Sequence, residues 1–268
     1  MSKKFKECKC VHCLRYFAEL TSDHVFPVSW YPKTTPDNLE KWQMPSCEAC
    51  NKKYGKIEED LLLKLGLCVK PFSHESFGVA DKTLRALNPK NGKNDRDSNI
   101  RLKKREQILR EAIEPTTVPL SSILPNFGFN DGTAPNEQLA VLVPDKGLKS
   151  IGEKLIRGIT WVVDNEYINE NYEIEIYIYH ELDADFLEEK LNKFGKTYAL
   201  GPGIQIIRVV TRQDPICGIY SMEIWGQLKI YGIVSLLKSK ETGITTKLKG
   251  QPGHSGSENS EELNNQNL

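Results

Sequence analysis

Two Cys-x-x-Cys pairs, Cys10-Val-His-Cys13 and Cys47-Glu-Ala-Cys50, lie 33 residues apart near the start of the chain. Each pair fits a tight knuckle that points two thiolates at one ion, and two knuckles complete a tetrahedron around zinc. A site with all four positions filled holds a fold and does no chemistry. The stretch Met1-Ser-Lys-Lys-Phe-Lys-Glu-Cys8 lacks the apolar core of a secretory leader. A cytoplasmic location is therefore expected, where thiols stay reduced and clustered cysteines suggest metal rather than disulfides. Cys8 and His12 are spare ligands beside the first knuckle, while Cys68 and Cys217 stand in apolar contexts and read as small core residues.

The 33-residue gap exceeds that of the commonest fingers, so the frame houses something. The insert carries Asp23-His24 with Pro27 three residues on, then Asn38-Leu39, and Asn51 directly follows the second knuckle. Neighbouring residues on a strand point to opposite sides. A carboxylate there can face a hard cation while the imidazole faces a water as general base. A helical pattern starts near Tyr54 and runs through Ile57, Leu61, Leu62 and Leu65 to Gly66. Glu58, seven residues after Asn51, falls on nearly the same helix face.

In this order of knuckle, Asp-His, Asn-Leu, knuckle-Asn and helix, residues 8–65 resemble the HNH endonuclease family in its four-cysteine, zinc-bound branch. The resemblance implies an α+β chain whose N-terminal, zinc-stabilised ββα-metal nuclease domain precedes a mixed α/β C-terminal domain. It implies His24 as the base that deprotonates the attacking water. Asp23 and Asn51 would be ligands of a catalytic Mg²⁺ or Mn²⁺ ion, with Ni²⁺ also acceptable, and Asn38 would brace the loop. Glu58 is a further carboxylate for that ion. The chain departs from the family at Tyr54, where many members have Lys; Lys53 and Lys56 flank it and could steady a phosphate.

The formal net charge is zero, yet residues 1–120 carry 22 Lys and Arg against 16 Asp and Glu, and the remainder has the opposite imbalance. The positive half is the better candidate for meeting phosphate. Arg101, Lys103, Lys104 and Arg105 extend a basic run begun by Lys90, Lys93 and Arg96, on a helix expected over 100–113. DNA is accordingly the expected partner, with a homodimer or a defence-system protein as further partners. Phage defence or a mobile element is the expected setting. A catalytically idle zinc module that binds nucleic acid or protein, and an RNA-cleaving enzyme, are the alternatives.

The second half shows no phosphate loop, catalytic triad or nucleotide fingerprint. Strands are expected over 138–144, 172–179, 203–211 and 217–237, the last broken near Gly226, and helices over 150–164 and 183–194. The Pro-, Gly- and Asn-rich stretch 71–99 reads as turns. These patterns divide the chain into a nuclease domain (1–70), a basic helical linker (71–120), an accessory domain (121–249) and a disordered tail (250–268). No run of apolar residues reaches the ~18 needed to span a bilayer, so no membrane is expected as a partner.

Overall fold

Three short antiparallel strands, β1 (Phe5–Lys9), β2 (Tyr16–His24) and β3 (Gln43–Ser46), open the chain in spatial order β1-β2-β3. The structure is a computed structural model, and it describes residues 4–114, 124, 127–128, 138–178 and 181–237. The turn between β1 and β2 is the first knuckle, closed by Leu14 N–H donating to the Cys10 carbonyl at 2.9 Å, with Leu14 in the left-handed region (φ 61°). The β2–β3 register sets Asp23 opposite Met44 and His24 opposite Gln43.

Helix α1 (Glu48–Leu65) starts inside the second knuckle, with Cys47 as its N-cap, and buries Tyr54, Leu61 and Leu65. It begins six residues before the point its apolar spacing predicts, because its first turns carry Cys50, Asn51 and two lysines instead of apolar side chains. Helix α2 (Val79–Leu87) occupies part of the stretch read as turns. Its buried face of Val79, Thr83 and Leu87 has the helical spacing that the surrounding Pro and Gly mask. Helix α3 (Asp95–Glu111) is capped by Asn94, whose side chain accepts from Asp97 N–H at 2.9 Å. Lys64–Glu111 (2.8 Å) and Lys104–Glu59 tie α3 to α1.

Helix α4 (Asp145–Asp164) precedes a second, five-stranded sheet. Its strands are β4 (Tyr172–Tyr177), β5 (Lys196–Gly201), β6 (Ile204–Val210), β7 (Gly218–Ile224) and β8 (Leu228–Leu236), all antiparallel in order β4-β8-β7-β6-β5. Helix α5 (Glu181–Phe194) joins β4 to β5. Among the described residues the architecture is thus mixed α/β, with two sheets and five α-helices. β5 is not evident in the sequence, and 138–144 forms no strand; Ala140 there makes one isolated bridge to Ile113. No helix among the described residues is long and apolar enough to cross a membrane.

The described residues from 4 to 237 belong to one compact unit, Met1–Leu237; the second unit, Lys238–Leu268, lies outside the described residues, as does the expected disordered tail. The linkage is α4, which is apolar on two faces. Gly152 and Gly158 mark them: a Cβ on Gly152 would stand 2.9 Å from Ile176 of β4, and one on Gly158 2.9 Å from Val25 and 3.0 Å from the Met44 sulfur. One face of α4 therefore packs on the cysteine-bearing ribbon and the other on the second sheet. A single hydrophobic cluster runs through Val25, Trp30, Met44 and Leu61 to Ile151, Leu155, Tyr220 and Trp225. At its centre Trp225 Nε1–H donates to the Trp30 carbonyl at 2.7 Å and the two indoles lie 5.4 Å apart. Trp30 is a core residue, and Trp42 packs against the same cluster.

Candidate functional site

The sulfurs of Cys10, Cys13, Cys47 and Cys50 all lie within 4.8 Å of one another. Four thiolates at about 2.3 Å from a tetrahedral zinc would stand ~3.8 Å apart, and Cys13 Sγ to Cys47 Sγ is 3.8 Å. Cys47 N–H donates to Cys10 Sγ at 3.4 Å, a bond that favours a thiolate there. Burial works against ionisation of Cys13, but hydrogen bonds from Arg15, Cys10 and Cys47 bring its thiol down to about 6. The quartet fits a structural metal such as zinc. Cys8 and His12 stand outside it.

Beneath the knuckles lies a second cluster, of carboxylates. Asp23, 8% exposed, projects from β2 toward α1 and α4. Lys154 of α4 is fully buried, and its ammonium donates to Asp23 at 3.0 Å and to Glu58 of α1. A lysine with 0% exposure survives only when paired. On the other side of Asp23, His12 Nε2 is 3.5 Å from Oδ2, and the His12 ring packs on Tyr54 with centroids 4.3 Å apart. Burial pushes the Asp23 carboxyl up, but His12 and Lys154 outweigh it and hold the group below its ordinary value. Burial lifts Glu58 above its ordinary value, and Lys154 does not cancel the shift. Asp23 is thus faced by the Lys154 ammonium on one side and by His12 on the other.

As arranged, this cluster does not fit a divalent ion. The place between Asp23 and Glu58 is held by the Lys154 ammonium, and a second cation there would meet its charge at close range. Among the described residues, the cysteine quartet is the one group of three or more Cys, His, Asp or Glu side chains close enough to share a metal ion. Asn51 donates its amide N–H to the Ser22 carbonyl at 3.4 Å, one residue from Asp23. Asn51, Tyr54 and Glu58 therefore line one face of α1, turned toward β2 and α4. Asn38 is exposed on the loop between β2 and β3, and its side chain meets no hydrogen-bond partner among the described residues.

His24 follows Asp23 on β2 and faces away from the buried cluster. It is half-buried, with Nε2 3.2 Å from the Gln43 amide nitrogen of the opposing strand. Burial lowers its basicity, Asp23 opposes the shift, and Lys154 and Lys41 add to it, so the ring is neutral at pH 7. A neutral imidazole can take a proton from water.

The basic residues divide. Lys104 pairs with Glu59, and Arg101 pairs with Asp97 (3.2 Å) and donates to the Arg85 carbonyl (2.9 Å), so both are bound up in the packing of α3. Lys103 and Arg105 are exposed on α3, as are Lys53 and Lys56 on α1. Lys154, His12 and Tyr54 are the members of the buried cluster that motif reading does not assign to it. One signal was available: Lys154 interrupts an apolar helical stripe through Gly147, Ile151 and Gly158, and a charge in such a stripe demands a buried partner. No protein-family model, no curated protein and no solved structure matches this chain.

Proposed function

We propose that the chain is an endonuclease that hydrolyses phosphodiester bonds of DNA, with His24 as the general base. The observation that carries this reading is the pairing of a neutral, half-buried His24 with Asp23 at the end of a hairpin, followed by a helix whose Asn51 bonds to β2 beside them. The strand–strand–helix order beside a cysteine quartet that fits zinc supports this reading. In-line attack on phosphorus needs a base for water and positive charge near the phosphate. His24 serves the first need. Lys41, near enough to depress His24, and the exposed Lys53 and Lys56 are cations available for the second. One site cuts one strand, so a double-strand break takes two copies or two visits.

A second reading, a zinc-stapled module that binds nucleic acid or a protein partner without cleaving, draws support from Lys154 on Asp23. Purified zinc-loaded protein incubated with plasmid DNA, and separately with RNA, in Mg²⁺, Mn²⁺, Ni²⁺ or EDTA distinguishes them. Nicking that vanishes in His24→Ala, with zinc content and melting temperature retained, is the expected result. Equal nicking by both proteins sinks His24 as base, and binding without cleavage under every condition favours the module. Cleavage of RNA alone moves the substrate.

A further inference from the structure

We propose that Lys41, Lys82 and Arg85, with Lys33 beside them, form a phosphate track that leads a nucleic-acid backbone to His24. The proposal deepens the nuclease reading, and the purpose of ending at His24 rests on that reading; the binding itself does not.

The track is built at Tyr31, a buried residue of the loop between β2 and β3. Lys82 of α2 donates its ammonium to the Tyr31 carbonyl and to the Ser29 carbonyl at 3.4 Å. Lys41, returning along the same loop, holds its ammonium 5.3 Å from the centre of the Tyr31 ring. Lys33 is fixed by its backbone N–H on the Phe77 carbonyl at 2.8 Å and by its ammonium on Asp81 at 3.0 Å. Arg85 follows Lys82 by three residues and so shares its side of α2. Asp81 pairs with Lys33 alone. Among the described residues, no carboxylate stands within ion-pair distance of Lys41, Lys82 or Arg85, and the loop's other acids, Asp37 and Glu40, are exposed and unpaired.

Cations gathered without counter-charges repel one another, and the repulsion is relieved when they share an anion. It registers at Lys82, whose basicity is lowered by burial and further by Lys33, Arg85 and Lys41. An ammonium carries three N–H groups. Fixed carbonyls take two of those on Lys82, which holds the side chain in place and leaves the third for an anionic oxygen. The occupant is a polyanion, because the cations come from two segments and reach as far as His24: Lys41 precedes Gln43, the cross-strand partner of His24, by two residues and is close enough to lower the basicity of that ring. Nucleic acid is favoured over other polyanions by Phe77, whose ring is 44% exposed and lies 5.8 Å from the Lys33 ammonium. Exposed aromatic faces beside phosphate-binding cations are platforms for bases. The basic helix α3, by contrast, has Arg101 and Lys104 already bound to Asp97 and Glu59.

The test is fluorescence anisotropy of labelled DNA with full-length, zinc-loaded protein and no other divalent ion, repeated over a range of salt. Lys41→Gln/Lys82→Gln/Arg85→Gln is expected to weaken binding by ~10-fold or more at physiological salt, and to flatten the slope of log affinity against log salt by about 2 to 3. Lys103→Gln/Arg105→Gln, the exposed pair on α3, is expected to do neither. An unchanged slope in the triple variant, a slope lost in the α3 pair instead, or a folded wild type that binds no DNA would each overturn the proposal. Inorganic polyphosphate that displaces the DNA as well, phosphate for phosphate, as unlabelled DNA does would overturn nucleic acid as the occupant. Should the triple variant melt early, Lys41→Gln/Arg85→Gln leaves the Lys82 contacts intact and is expected to flatten the slope by about 2; no flattening there overturns the proposal equally. Binding that follows the track without cleavage under any metal would count against the nuclease reading only.

Discussion

The two clusters in the N-terminal ribbon solve one electrostatic problem in opposite ways. The knuckles gather four thiols around a point whose centre no protein cation fills, with Arg15 only at its edge beside Cys13, so that quartet calls for a metal from solution. A few residues deeper, two carboxylates gather around a point that a lysine already fills. The difference shows that acidic or thiol ligands in proximity are not by themselves a metal site. What decides is whether the fold brings its own positive charge, and here that charge comes from a helix far along the chain.

Removing zinc should have the largest effect. Structural zinc contributes on the order of 10 kcal/mol in small domains, comparable to the total stability of a typical fold. Cys47→Ser, or a strong chelator, is therefore expected to unfold the ribbon, seen as lost far-UV signal and newly reactive thiols, three from the quartet in the variant and four in the chelated protein. A chelated protein that keeps its ribbon would erase the contrast between the two clusters.

Next comes Lys154→Met, which strands a buried Asp23 and Glu58 without a counter-charge and should cost about 3–5 kcal/mol in urea unfolding. Adding Asp23→Asn and Glu58→Gln to it should recover most of the loss. Recovery would mark the charge, rather than the packing of the lysine stem, as what holds the cluster.

His24→Ala tests the opposite face of β2. Loss of a general base typically lowers rate ~10²- to 10⁴-fold, here with little change in stability because the ring is half-exposed. The sign of the pH dependence follows from its lowered basicity. The base works when deprotonated, so the acid limb of the rate profile should lie below the ordinary histidine value of about 6.5. Gly158→Ala should follow at roughly 1–3 kcal/mol, because its methyl enters the space of Val25 and Met44.

The smallest effect joins the two faces of β2. Lys154 and burial depress His24 while Asp23 raises it, so Lys154→Met should move the His24 titration upward in a proton NMR experiment. No movement would mean that the buried cluster and the half-buried His24 are electrically independent.

Local patterning made much of the fold legible. The alternation of Tyr172–Tyr177 and the apolar runs of β6 to β8 correspond to strands, and α4 and α5 lie where helical spacing puts them. β5, Lys-Thr-Tyr-Ala-Leu-Gly at the sheet edge, has too little apolar content to announce itself. At the site, the cysteine spacing gave the quartet, and the seven-residue step from Asn51 to Glu58 placed both on one helix face. Lys154 stayed hidden because its partners stand 131 and 96 residues away. No local rule reaches that far, and a salt bridge between distant segments leaves no period to read.

The helix that is apolar on both sides has a consequence for how this chain tolerates being divided. Were the backbone severed between Glu114 and Gln138, the first fragment would expose Leu61, Val25 and Met44 and carry two uncompensated acids, while the second would expose the stripe of α4 with a naked lysine. Neither piece could bury its own surplus. Mixed, they would be mutual ligands, with an apolar face and a charge on each that only the other satisfies. The molecule is thus a natural basis for two-fragment complementation, its reassembly reported by the return of one buried ion pair.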